Sequence, residues 1–408
     1  MGVVQNVGQR FSPLDEELEL LPGRYTPGLQ EKMTRLGGKM PFPEAEDEIR
    51  AIYRTEISEP TIRRTTYQNG RASEALERQA VEEIEATLPE PTEQPERLVI
   101  STDGAFIGLT NGEWREVKTV SIGEFASHWN ARKSEIEVKN SRLSYFSRSY
   151  PARDFERYAL AEIHRRGMEN AEEIVTVNDG ATWIQSFIDY HCPKAVRIID
   201  FAHALGYVSR IGKTILGEET TAFNSWFETK AHQLKHESPH RLLSELAWLG
   251  QKAETTEQET VIDSGRNYLS RRQEMIDYAH FRARGYPIGS GSVESSHKHV
   301  VHKRLKGAGM RWAEHHVDPL LALRNLIANR RWDEGWQQLV NYRLQQRWTS
   351  QQPPKPKPAP PPLTLKSIKV PPEPAKNRSS TIDDAIPKKP WRPPSDHPWH
   401  QPLWPSRS

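Results

Sequence analysis

The hydrophobic periodicity between residues 97 and 200 constrains the fold of this chain more than any other feature. Residues 98–103 are apolar and β-branched, and Asn111-Gly112 is a hairpin turn that leads into an alternating strand over 115–122. Three more strands and two helices follow, with strands predicted over 137–145, 173–177 and 195–199 and helices over 152–166 and 181–190. The order βββαβαβ predicts an α/β fold built on a mixed sheet.

This order is that of an RNase H-like fold, in which the first strand and the end of the fourth lie side by side at the centre of the sheet. Asp103 is on the first strand, and Asp179 ends the fourth, where open α/β sheets bind their ligands. A helix predicted over 292–306 carries a third carboxylate, Glu294. Three carboxylates can hold two Mg²⁺ ions, for which Mn²⁺ could substitute, and leave positions for phosphate oxygens and water. We therefore predict a phosphodiester-cleaving site with these three side chains as metal ligands.

Each carboxylate has a simpler explanation when it is considered alone. Asp103-Gly104 and Asp179-Gly180 are common turn dipeptides. Glu294 is a first-turn acid, which the helix dipole favours by about 0.3–1 kcal/mol. Only the joint placement of the three favours catalysis over a structural role.

Charge is distributed unevenly along the chain, although the total is only +2. Residues 281–348 carry 12 basic and 5 acidic side chains, and residues 351–408 carry 10 and 4, so the rest is acidic. This asymmetry indicates a polyanionic partner that binds the C-terminal third. The predicted phosphate contacts behind Glu294 are Lys298, Lys303, Arg304, Lys306 and Arg311, with a solvated helix face as the alternative.

The N-terminal 96 residues are predicted to be helical. Helices over 43–53 and 59–67 with a short connection indicate a helix-turn-helix at about 43–67, in which Arg63 and Arg64 would face DNA. An ordinary helical hairpin is an equal alternative, because the turn has no diagnostic glycine. A further helix and a linker are expected over 71–96.

The end of the chain and its general composition restrict the class of protein further. Residues 351–408 hold 17 of the 31 prolines, which predicts a disordered, basic, Pro-rich tail. The single cysteine, Cys192, argues against a disulfide framework or a Cys-based zinc site and favours a reducing compartment. A mean hydropathy of −0.76 argues against a membrane span, so a cytoplasmic protein is expected.

Two sets of aromatic side chains have weaker signals. His297, His299 and His302 look like a metal cluster, but residues two apart on an α-helix face apart, so solvated or DNA-facing histidines are predicted. Trp226 and Trp248 are predicted to fill a helical core rather than to stack on bases.

Several segments of the sequence resemble successive blocks of bacterial insertion-sequence transposases of the Kra branch. The resemblance spans residues 25–340, and its blocks are 102–104 with 112–118, 178–184, 199–204, 285–294, 304–306 and 309–312. It implies a DDE transposase, distantly similar to Mutator-like elements, with an RNase H-like core over 97–310. Asp103, Asp179 and Glu294 would be the triad, and Asp200 and His203 match an Asp-x-x-His signature of the wider superfamilies.

The resemblance also implies an organisation and a set of partners. An all-α insertion at about 204–284 would precede the last core helix, and helices over 311–348 would follow the core. The partners would be transposon-end DNA, target DNA and further copies of the chain, assembled on DNA at the nucleoid and with no membrane. The alternatives are a catalytically silent DNA-binding protein derived from a transposase and a resolvase-like nuclease on the same fold.

Overall fold

A computed structural model describes residues 21, 25–132 and 134–351 of the chain. At residues 294, 296 and 347–351 the description covers the backbone only. The tail predicted over 351–408 therefore lies, apart from residue 351, outside the described residues.

The described residues form one five-stranded sheet of mixed direction, with strand order β3-β2-β1-β4-β5. The strands are β1 Arg97–Gly108, β2 Trp114–Asn130, β3 Glu135–Arg148, β4 Glu173–Asn178 and β5 Val196–Ile199. The first three pair antiparallel, whereas β4 pairs parallel to β1 and β5 parallel to β4. The predicted α/β class and the order βββαβαβ are confirmed. The strands β2 and β3 are longer than predicted, because residues 124–130 pair with 135–141 in a hairpin that continues beyond β1.

The described helices lie before, between and after the strands. Their bounds are α1 Pro27–Lys39, α2 Phe42–Tyr53, α3 Glu59–Thr87, α4 Ala152–Arg165, α5 Thr182–His191, α6 Phe201–Leu216, α7 Thr221–His236, α8 Pro239–Gly250, α9 Thr256–Ser270, α10 Tyr278–Ala283, α11 Gly291–Ser296, α12 Lys303–Leu305, α13 Glu314–Ala328 and α14 Trp332–Gln351. Short 3₁₀ turns cover Met168–Asn170 and Gln273–Met275, and a π-helical turn covers His297–His302 between α11 and α12. None of these helices is long and apolar enough to cross a membrane.

Alternation along β1 buries both faces of the sheet. Leu98 and Ile100 point into a core formed with α4 and α5, which includes Phe155 and Phe187. Val99 points the other way, into a core that contains residues of β4, β5 and the helices α6 to α10. Helices on both faces explain why these parallel strands are almost continuously apolar.

The stretch predicted as an all-α insertion is helical throughout, as α6 to α10 with short connections. These helices pack against the sheet in the core that contains Val99. Trp226 packs against that core, as predicted, but Trp248 is 58% exposed and lies under the Lys252 ammonium at 4.0 Å. The prediction of a core position for Trp248 is wrong, because its neighbours Leu246 and Leu249 already face the interior.

The helix α3 is a single element of 29 residues, although two helices were predicted over its length. It continues through Gly70, which lies against α13. A β-carbon at residue 70 would be 2.3 Å from the Pro319 carbonyl oxygen, so the glycine permits close helix packing and does not end the helix. The second helix of the predicted helix-turn-helix is thus part of a long helix that packs on α13.

Alanine substitutions at two helical glycines are expected to have opposite effects on stability. Gly70→Ala should lower the free energy of unfolding by about 1–3 kcal/mol, because the added methyl meets backbone that cannot move away. Gly206→Ala in α6 should raise it by about 0.5–1 kcal/mol, because nothing lies within 4 Å of the new β-carbon. Urea denaturation of both variants measures this, and equal effects would refute the close packing of α3 on α13.

Candidate active site

The middle of β1 brings Asp103 close to the carboxyl end of β4, where Asp179 follows. The strands β1 and β4 pair in parallel with a constant offset of 76 residues, from 97 with 173 to 100 with 176. The same offset, carried three residues further, pairs 103 with 179. Thr102 N donates a hydrogen bond to Asn178 Oδ1 at 2.5 Å, which holds the two chains together at this level. Asp179 therefore lies at the carboxyl edge of β4, and Asp103 lies beside that edge within β1, which continues to Gly108.

A third aspartate, Asp200, lies at the same edge. The strands β4 and β5 pair with an offset of 21 residues up to Asn178 with Ile199, so the next residues in register are Asp179 and Asp200. Asp200 N donates to the Asn178 carbonyl oxygen at 2.7 Å. The Asp200 carboxylate is 9% exposed and accepts two backbone N–H bonds, from His203 at 2.8 Å and from Ser290 at 2.7 Å. It caps α6 and holds the segment that leads into α11.

Asp103 is partly buried and has defined contacts at both carboxylate oxygens. Its side chain is 18% exposed. Oδ1 accepts the Gly104 N–H at 2.7 Å, and Oδ2 lies 3.6 Å from His297 Nδ1. The negative charge of Asp103 is therefore directed toward the helical segment that follows Glu294.

Asp179 sits in a turn that is fixed from the α9 side. Its Oδ1 accepts the Ala181 N–H at 2.9 Å, and Tyr268 donates its hydroxyl to the Asp179 carbonyl oxygen. Gly180 has a φ of +79°, and a β-carbon there would lie 2.8–2.9 Å from Ile199, Tyr268 and Arg272. A glycine is required at this position both for its backbone conformation and for space.

The helix α11 places the backbone of Glu294 against the sheet beside Asp103. Ser292, two residues earlier, has its hydroxyl 3.3 Å from that of Ser101 on β1. Ser295, one residue later, hydrogen-bonds the Tyr145 side chain on β3. Three residues after Glu294, His297 reaches Asp103. The structure thus brings the α11 backbone and the two aspartates to one region of the sheet.

The π-helical turn His297–His302 changes the interpretation of the histidines. Hydrogen bonds in such a helix join residues i and i+5, so His297 and His302 lie about one turn apart, and their ring centroids are 6.2 Å apart. His297 is only 6% exposed, so the prediction of a solvated side chain is wrong for this residue, whereas His299 is exposed. Burial lowers the pKa of His297 to about 4, with a smaller contribution from His302. Its Nε2 makes no hydrogen bond within the described part of the chain.

His203 lies close to both Asp179 and Asp200. Burial lowers its pKa, and the two carboxylates oppose that shift. Its ring packs at centroid distances of 5.4 Å from Tyr207 and 5.7 Å from Tyr268, which are themselves stacked at 4.1 Å. The predicted Asp-x-x-His pair is therefore joined to the edge that carries Asp179.

Two side chains at this site were not identified from the sequence, and the environment of a third, His297, was predicted wrongly. Tyr268 fixes the Asp179 turn, Arg272 donates to the Gly180 carbonyl oxygen at 3.1 Å, and His297 contacts Asp103. Tyr268 is near the end of α9 and Arg272 just beyond it, about 90 residues from the Asp179 turn, and neither belongs to a motif. The spacing of His297, one turn after Glu294, is the one available signal.

The predicted DNA contacts fall into two groups. Lys298, Lys303, Lys306 and Arg311 are exposed, as are Arg63, which pairs with Glu59, and Arg64. Arg304 is 1% exposed, donates Nε to the Gly37 carbonyl oxygen at 2.9 Å and lies between the rings of Phe42 and Trp312. A phosphate contact needs an accessible guanidinium, so Arg304 does not serve as one in this structure.

Oxygen donors dominate the site and suit a hard divalent cation. Asp103 and Asp179 are carboxylates, which is the ligand chemistry of Mg²⁺ or Mn²⁺ and not of a soft metal. Among the described side chains, which do not include that of Glu294, no three His, Cys, Asp or Glu groups form a metal cluster. Of the described side chains, Asp103 and Asp179 are the ones of the predicted triad that supply such oxygen donors.

Comparison with known proteins identifies the family of the chain. No curated protein matches it. Residues 14–334 match one family across all five strands and the helices α1 to α13, which is well over half of the sequence. The chain therefore belongs to the uncharacterised protein family UPF0236.

Proposed function

We propose that this protein is a DDE-type DNA transposase with an RNase H-like core. It would bind the ends of its insertion sequence, cleave DNA phosphodiesters and join the 3′-hydroxyl ends to target DNA. The observation that carries the proposal is the level placement of Asp103 and Asp179 on neighbouring parallel strands, with the α11 backbone packed beside them. The transposase-like sequence blocks at 102–104, 178–184 and 285–294 coincide with this edge.

The carboxylates of Asp103, Asp179 and Glu294 would hold divalent cations. Bound ions of this kind lower the pKa of water and stabilise negative charge on attacking and leaving oxygens, which serves both cleavage and strand transfer. Both reactions are in-line displacements at phosphorus, so one site suffices for the two.

The chain's own residues would position the reacting groups. Tyr268 and Arg272 hold the Asp179 turn through backbone carbonyls, so its carboxylate keeps one orientation. His297, buried against Asp103, excludes water from that side. The exposed cations Lys298, Lys306 and Arg311 follow on the surface and would contact phosphates of the bound DNA, as Arg63 and Arg64 would on α3.

Incubation of the purified full chain with Mg²⁺ and DNA that carries the element's flanking ends tests this function. We expect strands cut at the element ends, with the 3′-hydroxyl ends joined to a target plasmid, and no product in EDTA. Sequencing of the junctions identifies the cut. Binding without cleavage would instead support a catalytically silent DNA-binding protein. Cleavage without joining would support a nuclease and would overturn the transposase proposal.

A further inference from the structure

A cationic cleft of about 780 Å³ opens beside the π-helical turn. It is bounded by the end of α1, by β3, by the turn with α12, and by the end of α13. Five of its twelve lining residues are lysines or arginines, namely Lys39, Arg142, Lys303, Arg324 and Arg330, and none is an aspartate or a glutamate.

The floor of the cleft contains a buried positive charge without a counter-ion. Arg324 is 3% exposed and donates to the carbonyl oxygens of Val300 at 3.0 Å, of Gly38 at 3.2 Å and of His299. No carboxylate of the described residues pairs with it, and burial lowers its pKa to about 10. Buried arginines are rarely left without an anionic partner. A second guanidinium, Arg304, is also buried and is close enough for the charge of Arg324 to lower its pKa.

Three exposed cations at the rim add to this potential. Lys39, Lys303 and Arg330 form no ion pair with the described part of the chain. Burial lowers the pKa of Lys39, and Arg35 and Arg324 lower it further. Arg142 also lines the cleft, but it is neutralised by Glu93 at 3.1 Å and Glu124 at 2.7 Å. The cleft therefore has an uncompensated positive field that an anion from outside would satisfy.

The backbone at Arg330 is held in a left-handed conformation, with φ of +57°. This is the position just beyond the end of α13, where glycine is the favoured residue. An arginine there costs conformational energy and brings a cation to the rim. Glycine at this position would remove the charge and relieve the backbone.

The shape and chemistry of the cleft select the ligand. Its volume is that of a small-molecule site, so it cannot enclose a duplex but can accept a few nucleotides of one strand. The apolar wall of Leu143, Ile327 and Ala328 offers no aromatic face for bases. Of the two lining rings, Tyr145 is 6% exposed and bonded to Ser295, whereas the small ring of His299 is exposed. Recognition would therefore depend on phosphates and not on base sequence.

We propose that this cleft binds the sugar–phosphate backbone of one DNA strand next to the cleavage site. The cleft and the candidate site share one helical segment, because His297 contacts Asp103 while His299 and Lys303 line the cleft. The identification of the strand as DNA rests on the proposed function. The assignment of the cleft as a polynucleotide site rests on its charge and size.

A variant that removes the three rim cations tests the proposal. It combines Lys39→Gln, Lys303→Gln and Arg330→Gly, and the matched control combines Arg78→Gln, Arg153→Gln and Lys194→Gln, which are exposed cations away from the cleft. Fluorescence anisotropy with a labelled single-stranded oligonucleotide is measured in EDTA over a range of salt. The slope of log affinity against log salt should fall in magnitude by about 2 in the cleft variant, because each single-strand phosphate contact contributes about 0.7. The control should keep the wild-type slope.

Equal slopes in the cleft variant and the control would overturn the proposal, since the cations would then act only through total charge. The proposal would also be overturned if inorganic phosphate displaced the oligonucleotide when the two are present at equal concentrations of phosphate groups. The cleft would then be a site for small anions. If the triple variant has a lowered melting temperature, Arg330→Gly alone keeps the test, with a slope change of about 0.7.

The binding measurement is independent of cleavage. If the cleft variant loses binding but the wild type does not cleave DNA, the cleft is still a polynucleotide site and the transposase proposal is rejected. If the wild type cleaves DNA but the cleft variant binds as tightly as the wild type, the transposase proposal stands and the cleft proposal is rejected.

Discussion

Asp179→Asn is expected to reduce Mg²⁺-dependent strand cleavage by at least about 10³-fold, equivalent to about 4 kcal/mol of transition-state stabilisation. The reason is that asparagine keeps the shape of the side chain and its Oδ1, which accepts the Ala181 N–H, but loses the charge that holds a cation. The turn itself should survive, because Gly180 and Tyr268 fix its backbone. DNA affinity in EDTA should change less than about threefold, since phosphate docking uses other residues.

The same result is expected for Asp103→Asn and Glu294→Gln. The control is Asp189→Asn on α5, where the aspartate is 65% exposed and pairs with Arg197, away from the strand ends. It should cleave at the wild-type rate. Product formation is measured by denaturing gel electrophoresis with end-labelled DNA. A variant that keeps more than a tenth of the wild-type rate would remove that carboxylate from the proposed triad.

The alignment of Asp103 with Asp179 could be predicted from the sequence because it depends only on strand order. Once the first and fourth strands are adjacent and parallel, the end of the short strand β4 must lie beside the middle of the longer β1, which is where Asp103 stands. The alternating burial along β1 and the turn signal at Asn111-Gly112 are equally local. Local patterns of this kind correctly predicted the order of the five strands and of the two helices between them.

The burial of the Arg304 side chain could not be predicted from local sequence patterns. Lys303 and Lys306 have the same sequence character as Arg304, yet only Arg304 turns inward, to a carbonyl of Gly37 that lies 267 residues away. A pattern within one helix does not contain that contact. The π-helical turn is a similar case, because the predicted positions of the histidines rest on ideal α-helical geometry. In the structure His297 lies against Asp103. The close approach of Gly70 on α3 to Pro319 is likewise a contact between residues that are distant in the sequence.

A buried ion pair connects α3 to the end of β3 and dominates the expected effects on stability. Arg148 is 0% exposed, pairs with Glu77 of α3 and donates to the Ser147 carbonyl oxygen at 2.6 Å. Burial lowers the pKa of Arg148, but Glu77 and other nearby acidic groups outweigh that effect and raise it. Ser149 beside it donates to Asp318 of α13 at 2.6 Å. These contacts join three elements of the fold through polar groups.

Arg148→Met is expected to lower the free energy of unfolding by about 3 kcal/mol, the lower end for a broken buried pair because Glu77 is 24% exposed. The loss arises because Glu77 keeps its charge but loses its partner. Burial already holds the pKa of Glu77 above its usual value in the wild type, and without Arg148 it should rise further. The stability of the variant should therefore fall more steeply than that of the wild type as pH rises from the unfolded pKa of about 4.3 toward neutrality. Urea denaturation at pH 5 and pH 8 measures both effects.

The control is Arg157→Met, which breaks the more exposed pair with Glu85 of α3 and should change stability little. If the two variants lose equal stability, or if Arg148→Met is no more stable at pH 5 than at pH 8, then burial of Glu77 does not account for the loss.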